Sequence, residues 1–376
     1  AFGALATLLS GHWYRSLTGR MTLPSLTPGS VRPDEQLAAR RGVVAAMAAG
    51  VMVCALLVAA TLVGHVSLVP PEVEPIVLSG RWPAFRGPHM NGVVPAGTWP
   101  DRWSARTGEN ILWKCPIEGQ GNSSPVVWGD RVFLITATVE ECWVHCINAA
   151  SGRLAWRRKV EDPPGTEMVE VMEDTGFAAP TPVTDGEFVW VTFANATVAC
   201  FDFDGNQKWA INLGKPVTAY GLASSLLLYK DRLILQLDQG NSVEDGLSAL
   251  VVINKDTGDV VRRVPRSTKN SWTTPILAGL DEGLPRTQLI VSGNPYVAAY
   301  DPDTFEELWR VTCPSEDLAP MPVAAGGLVF VGLSGGKTMA IRPDGSGDVT
   351  ETHVVWSTDE SLLDMASPVA TDQHYL

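Results

Sequence analysis

Positive charge is scarce in this chain. Its 28 Lys and Arg face 41 Asp and Glu, a formal net charge of −13 with no basic patch. That balance argues against nucleic acid and against an anionic membrane surface as partners. Histidine is nearly as sparse: His12, His65, His89, His145, His353 and His374 are scattered without ligand spacing. Cysteine is limited to six residues, and Cys54 lies in an apolar run, so Cys115, Cys142, Cys146, Cys200 and Cys313 form an odd set that cannot fully pair. There is no Cys-x-x-Cys-His for haem attachment and no Gly-x-Ser-x-Gly nucleophile elbow. Asp238, Asn241, Glu244 and Asp245 could hold Ca²⁺ on an acidic loop, but their spacing misses the calcium-loop pattern. The stretch 332–338 has the look of a phosphate loop, yet Val331 stands where the first glycine belongs and the stretch joins strand to strand, which makes it a hairpin turn. No catalytic, cofactor-binding or metal residue is nominated, and no cofactor is expected.

One long apolar run is present. Gly42 to Val63 is 22 residues without a charge, roughly 33 Å as a helix, enough for a bilayer core of about 30 Å. Arg40 and Arg41 precede it and Glu72 and Glu74 follow. The positive flank stays in the cytoplasm, which puts the rest of the chain across the membrane. The expected organisation is a cytoplasmic segment 1–41, a transmembrane helix 42–66, a Pro-rich tether 67–81 and an exported domain 82–376. Three other readings of the run are weaker. A cleaved signal would use Val58-Ala59-Ala60, a lipoprotein signal would use Cys54 behind an unsuitable Val53, and Arg40-Arg41 is a faint twin-arginine signal. Gly50, Ala45, Ala46, Ala48 and Ala49 cluster in the first half of the run, where small residues let helices approach closely in lipid.

From Gly121 onward a phrase recurs about every fifty residues. It opens at Ser124-Pro125-Val126, Thr181-Pro182-Val183, Ser224-Ser225-Leu226, Thr274-Pro275-Ile276, Met321-Pro322-Val323 and Ser367-Pro368-Val369. Each copy continues as short β-branched and aromatic runs bounded by turn residues, four strands in all. In the first, Arg131–Thr136 and Trp143–Ile147 precede a turn at Asn148–Gly152 and a last strand through Trp156. An Asp or Asn can cap its own backbone in that turn, and an aromatic eight residues on, as at Asn148 to Trp156 and Asp301 to Trp309, can reach the neighbouring copy. A repeat of this length cannot bury its own face, so copies must stack. The fold expected is all-β, a propeller of four-stranded antiparallel blades. Cys146 and Cys200 hold the place that Ala299 and Ala340 hold in later copies, so they read as buried free thiols rather than a disulfide.

The Asp, Thr-Gly and Trp that end each copy resemble the PQQ-like propeller repeat. Trp82–Gly87, Ser123–Asp130 and Asp348–Trp356 are more closely similar to a family of exported PQQ-binding-like propeller proteins, named by analogy to the outer-membrane barrel-assembly propeller lipoprotein. The resemblance spans Trp82 to Leu376 and implies eight blades in the full polypeptide, or seven. Five are complete here and a sixth has only begun, so the sequence reads as part of a longer chain. Ile111–Lys114, with Trp113, is expected to close a blade supplied from the far end. The resemblance implies three functions: a non-catalytic scaffold bound to other membrane or envelope proteins, a PQQ-dependent quinoprotein dehydrogenase, or an exported ligand-sensing domain of a receptor. The dehydrogenase would hold PQQ and Ca²⁺ in the central channel and would carry an adjacent cysteine pair, which this sequence lacks. The scaffold is the favoured expectation, on the periplasmic side of a single anchor.

Overall fold

A computed structural model describes residues 81–376 apart from 95–98, 162, 164–165, 168, 280–282, 335, 360–364 and 372. The expected anchor helix and its flanks lie outside the described residues; within them no helix is long and apolar enough to cross a membrane.

Five antiparallel sheets follow one another along the chain. Blade I is β1 (Val126–Trp128), β2 (Arg131–Ala137), β3 (Cys142–Asn148) and β4 (Leu154–Lys159). Blade II is β5 (Val183–Thr184), β6 (Phe188–Thr192), β7 (Thr197–Asp202) and β8 (Gln207–Asn212). Blade III is β9 (Leu227–Tyr229), β10 (Arg232–Leu237), β11 (Ala249–Asn254) and β12 (Val260–Pro265). Blade IV is β13 (Ile276–Ala278), β14 (Gln288–Val291), β15 (Tyr296–Tyr300) and β16 (Glu307–Thr312). Blade V is β17 (Val323–Ala325), β18 (Leu328–Gly332) and β19 (Thr338–Ile341), then β20 (Gly347–Asp348), a short helix α1 (Thr350–His353) and β21 (Val354–Thr358). β20 leaves its own blade to pair in parallel with β16 of blade IV, an addition the repeat does not foretell. A further bridge, Ala370 to Tyr375, opens a sixth copy.

The sequence pattern has a direct physical counterpart at the closing strand. In every blade this strand skips one residue against the strand before it, a bulge that falls beside Cys146 in blade I, Cys200 in II, Val252 in III, Ala299 in IV and Ala340 in V. A bulge sharpens local twist and re-aims a side chain. The re-aimed residue is Trp156, Trp209, Trp309 or Trp356, and the residue opposite it is Cys or Ala, small because a ring lies across the ladder. This settles the two cysteines: Cys146 and Cys200 are buried, free and in register with the alanines. Burial pushes both thiols up to about 12.

Trp156 and Trp209 land on the turn of the next blade. The Trp156 indole donates to the Phe203 carbonyl at 2.8 Å, and the Trp209 indole to the Lys255 carbonyl at 3.1 Å. Both acceptors follow the Asn or Asp whose side chain caps the turn. The glycine closing the turn leaves room for the ring: a Cβ at Gly205 or Gly258 would sit 2.8 or 2.7 Å from Trp156 or Trp209. Trp113 repeats the contact on blade I, donating to the Ala149 carbonyl at 2.7 Å, with Gly152 beneath its ring. It therefore sits where a preceding blade's closing strand would put its tryptophan. Residues 111–118 alternate half-buried and exposed, as one face of a strand would, but among the described residues they belong to no sheet. Among the described residues no strand pairs with 111–118, so the closure from the far end of the chain stays an expectation.

The repeated opening phrase makes the other blade-to-blade link. The Ser124 amide donates to Thr181 Oγ1 at 3.0 Å, the Thr181 amide to Ser225 Oγ at 2.9 Å, and the Ser225 amide to Thr274 Oγ1 at 3.0 Å. The Met321 amide donates to Ser367 Oγ at 3.1 Å. Met321 has no hydroxyl to receive the Thr274 amide, and at that junction Thr273 Oγ1 donates instead to the Pro320 carbonyl at 3.1 Å. These residues precede the inner strand of each blade, so the hydroxyls form a belt around the hub. The belt is buried at Thr181, Ser225 and Thr274, where an unmet amide costs about 1–3 kcal/mol. Ser225→Ala and Thr274→Val are each expected to lower unfolding free energy by about that amount, read from urea titrations at constant m-value. Met321 is itself buried in the core, so Met321→Ser is expected to cost about 2–5 kcal/mol in spite of the acceptor it offers.

Candidate functional site

The junction of blades III and IV departs from the repeat at both ends. At the turn end, Arg262 takes the closing-strand position that tryptophan holds elsewhere, pairing with Val252. The receiving turn answers with Phe305, buried in the core, and the Arg262 guanidinium lies 5.5 Å from its ring centre. An open groove of 350 Å³ remains, lined by Asp231, Val252, Val261, Arg262, Asp303 and Phe305 among others. Its carboxylates are already matched: Lys230 Nζ meets Asp303 at 2.7 Å and Arg232 meets Asp231 at 3.3 Å. Val260 and Val261 beside it are exposed. The groove thus offers a cation over an aromatic floor beside matched carboxylates, and its lining has no nucleophile beside a base.

At the other end of the same junction lies a buried ion pair. Arg266 Nε meets Asp238 Oδ1 at 2.9 Å, the two side chains 1% and 0% exposed. Ser271 Oγ donates to Asp238 Oδ2 at 2.8 Å, and Gln236 Nε2 donates to the same oxygen at 2.7 Å and to the Ser292 carbonyl of blade IV. Burial by itself would lower the Arg266 pKa, but Asp238 and the nearby Tyr300 hold it above the ordinary value. A buried pair of this kind fixes one geometry more than it adds net stability. Removing one partner is different, because it strands a charge.

The sequence candidates are therefore separated. Asp238 is consumed by Arg266, and Asp245 caps the backbone of its own loop, accepting from the amides of Asn241 and Ser242 at 2.9 and 3.1 Å. Glu244 turns to the Ser242 hydroxyl. The four do not converge, and among the described residues no three acidic, His or Cys side chains cluster as a metal set. The stretch 332–338 joins β18 to β19 in antiparallel register, Gly332 opposite Thr338, as a hairpin. Cys142 and Cys146 are not joined in a disulfide. Among the described residues the inner edges present belt hydroxyls and, from residues 82–92, a guanidinium with carbonyl partners, not acidic ligands beside a cysteine pair, so the PQQ site implied by the resemblance does not fit them. Sequence reading missed the Arg266–Asp238 pair, whose members lie 28 residues apart; the lone Arg for Trp at 262 was the available sign that this junction differs.

His145 is buried at 1% exposure and its Nε2 lies 2.8 Å from Thr136 Oγ1. Since the Thr136 proton goes to the Glu118 carbonyl at 3.0 Å, the ring donates to the hydroxyl. Burial, aided by the charge of Arg157, lowers its pKa to about 4.

Two overlapping matches, at residues 140–269 and 246–373, connect the chain to a family model described as outer membrane protein assembly factor BamB. Together they take in more than half of the chain. The chain belongs to that family. Among solved structures it is similar to BamB from Moraxella catarrhalis, at 16% identity over 70% of each chain with a TM-score of 0.45. It is similar to the quinohemoprotein alcohol dehydrogenase from Comamonas testosteroni, at 12% identity over 71% of this chain and 59% of that one with a TM-score of 0.52. A europium-containing methanol dehydrogenase matches at 10% identity over 66% and 72% with a TM-score of 0.41. The dehydrogenase likeness is one of fold. No curated protein matches the chain in sequence.

Two outcomes are expected. Asp238→Ala strands Arg266 and should cost about 3–5 kcal/mol, whereas Asp238→Ala combined with Arg266→Met should recover much of it in a double-mutant cycle. For His145 the folded pKa is depressed, so the unfolded chain binds the extra proton and stability falls as pH drops from about 6.5 toward about 4. His145→Gln should flatten that slope by up to one proton, as read from urea midpoints across the range.

Proposed function

We propose that this chain is a non-catalytic propeller that serves as a scaffold subunit of a membrane protein assembly in the cell envelope. The family match over residues 140–373, to a family described as an outer membrane protein assembly factor, carries the reading. The described site agrees with it. Its carboxylates are engaged, Asp238 with Arg266 and Asp303 with Lys230, and what remains outside is surface for contact. In this reading 42–66 is the anchor, 1–41 stays in the cytoplasm, and the tether 67–81 with Pro70, Pro71 and Pro75 keeps the propeller near its membrane partners on the exported side. The acidic balance directs it toward proteins rather than nucleic acid.

Extraction in mild detergent followed by native sizing is the test. The expected result is migration well above the mass of one chain, with co-purifying envelope proteins that are lost when the propeller is replaced by an unrelated domain on the same anchor. Migration as a lone polypeptide would end the proposal.

A further inference from the structure

The segment Trp82–Gly92 touches inner strands and openings of three blades. Trp82 exchanges both main-chain hydrogen bonds with Val127 of β1, at 2.9 and 2.8 Å. The Pro83 carbonyl accepts from the Thr184 amide at the end of β5, at 2.9 Å. Farther on, the Arg86 guanidinium donates to the Ser367 carbonyl at 3.3 Å and to the Pro368 carbonyl, both in the sixth copy of the opening phrase. It also holds the Asn91 carbonyl at 3.1 Å, closing the segment on itself. Ala84 and Met90 are buried in one core with residues of blades II to V.

The local sequence is shaped for this. Gly87 has φ +86°, and a Cβ there would stand 2.6 Å from the Trp82 ring. Gly92 has φ +74°, and a Cβ there would stand 2.8 Å from the Arg86 guanidinium. A side chain at either position would unseat the indole or the guanidinium, the two groups that make the outward contacts. Main-chain pairing at the Trp82 end is a single antiparallel bridge to a sheet edge, the kind of contact by which a sheet takes up a peptide strand.

We infer that Trp82–Gly92 is an intramolecular peptide ligand of the propeller's inner edge, a plug that fastens blades I and II to the sixth repeat. The inner edge is thereby occupied by the chain's own indole, proline and guanidinium. For the corollary that a planar cofactor has no place there, the inference rests on the non-catalytic reading; the plug itself stands on geometry alone.

Hydrogen exchange and limited trypsin digestion of the intact chain test it. In the wild type, the amides of Trp82, Val127 and Thr184 should be protected, and trypsin should cut after Arg86 at least about 100-fold more slowly than after the exposed Arg102 and Arg106. Gly87→Ala should speed exchange at those three amides by about tenfold or more while the belt amides of Thr181 and Ser225 keep their rates. Wild-type cleavage at Arg86 as fast as at Arg106, or unprotected Trp82 and Thr184 amides, would overturn the plug. That result needs no variant, so it decides the matter even if Gly87→Ala misfolds. A lone-chain result in native sizing would remove the scaffold reading and leave these readouts untouched, so the two fail separately.

Discussion

The fold depends on one recurring contact: at every junction but that of blades IV and V, the main-chain amide that opens a blade is met by a side chain of the next. A four-stranded sheet this short has two faces to cover and an inner edge that faces the axis, and it cannot complete any of them alone. The hydroxyl belt answers at the hub, where the amide that opens one blade is met by Ser or Thr from the next. The bulged tryptophan answers at the rim, where an indole covers the next turn and gives its proton to a fixed carbonyl. Between belt and rim the sheets pack face to face through Val, Ile, Leu and Phe. The blades are held by the same two contacts repeated, and this is why a sequence period of about fifty residues is visible at all.

Departures from the repeat are where the molecule becomes individual. Met321 breaks the belt, and the break is bridged by a bond from Thr273 to a carbonyl. Blade IV to blade V keeps the tryptophan acceptor but reaches it through a relay: Trp309 donates to Gln288 at 2.7 Å, and Gln288 to the Pro343 carbonyl at 2.8 Å. Blade V lengthens its last turn enough to lend β20 to the sheet beside it. At the junction of blades III and IV the tryptophan is gone, and an Arg–Phe pair, a groove and a buried ion pair take its place. A repeat loses its regularity where something other than stacking sets the residues, and these junctions are the positions to which a partner or a specific register would be sensitive.

Carboxylates that a reaction or a metal would need are capping turns or facing guanidinium and ammonium groups. The buried thiols are held protonated by their surroundings and pack as small apolar groups. The family to which the chain belongs is described by assembly rather than by turnover, and the proposed scaffold role rests on that description. The fold alone would not decide between them, since a dehydrogenase shares it.

Periodicity is local information, and what it encodes was legible. The four-strand unit, the turn caps at Asn148, Asp202, Asn254 and Asp301, the hairpin at 332–338 and the equivalence of Cys146 with Ala299 all follow from spacing within one copy, because strand, turn and bulge are decided by neighbours in sequence. The hydroxyl of Ser225 or Thr274 was visible as a recurring small residue, but its partner is 44 or 49 residues away in the next blade, and only stacking brings the two together. The same holds for Arg266 and Asp238: the sequence shows a stray Arg and an acidic loop, whereas their burial as a pair exists only once two strand ends of blade III meet under blade IV. Trp82–Gly92 marks the limit most sharply. Its glycines and its tryptophan stood out as a motif, yet the carbonyls that Arg86 grips belong to residues more than 280 positions away, and a ring brings such distant residues together only after its blades have stacked.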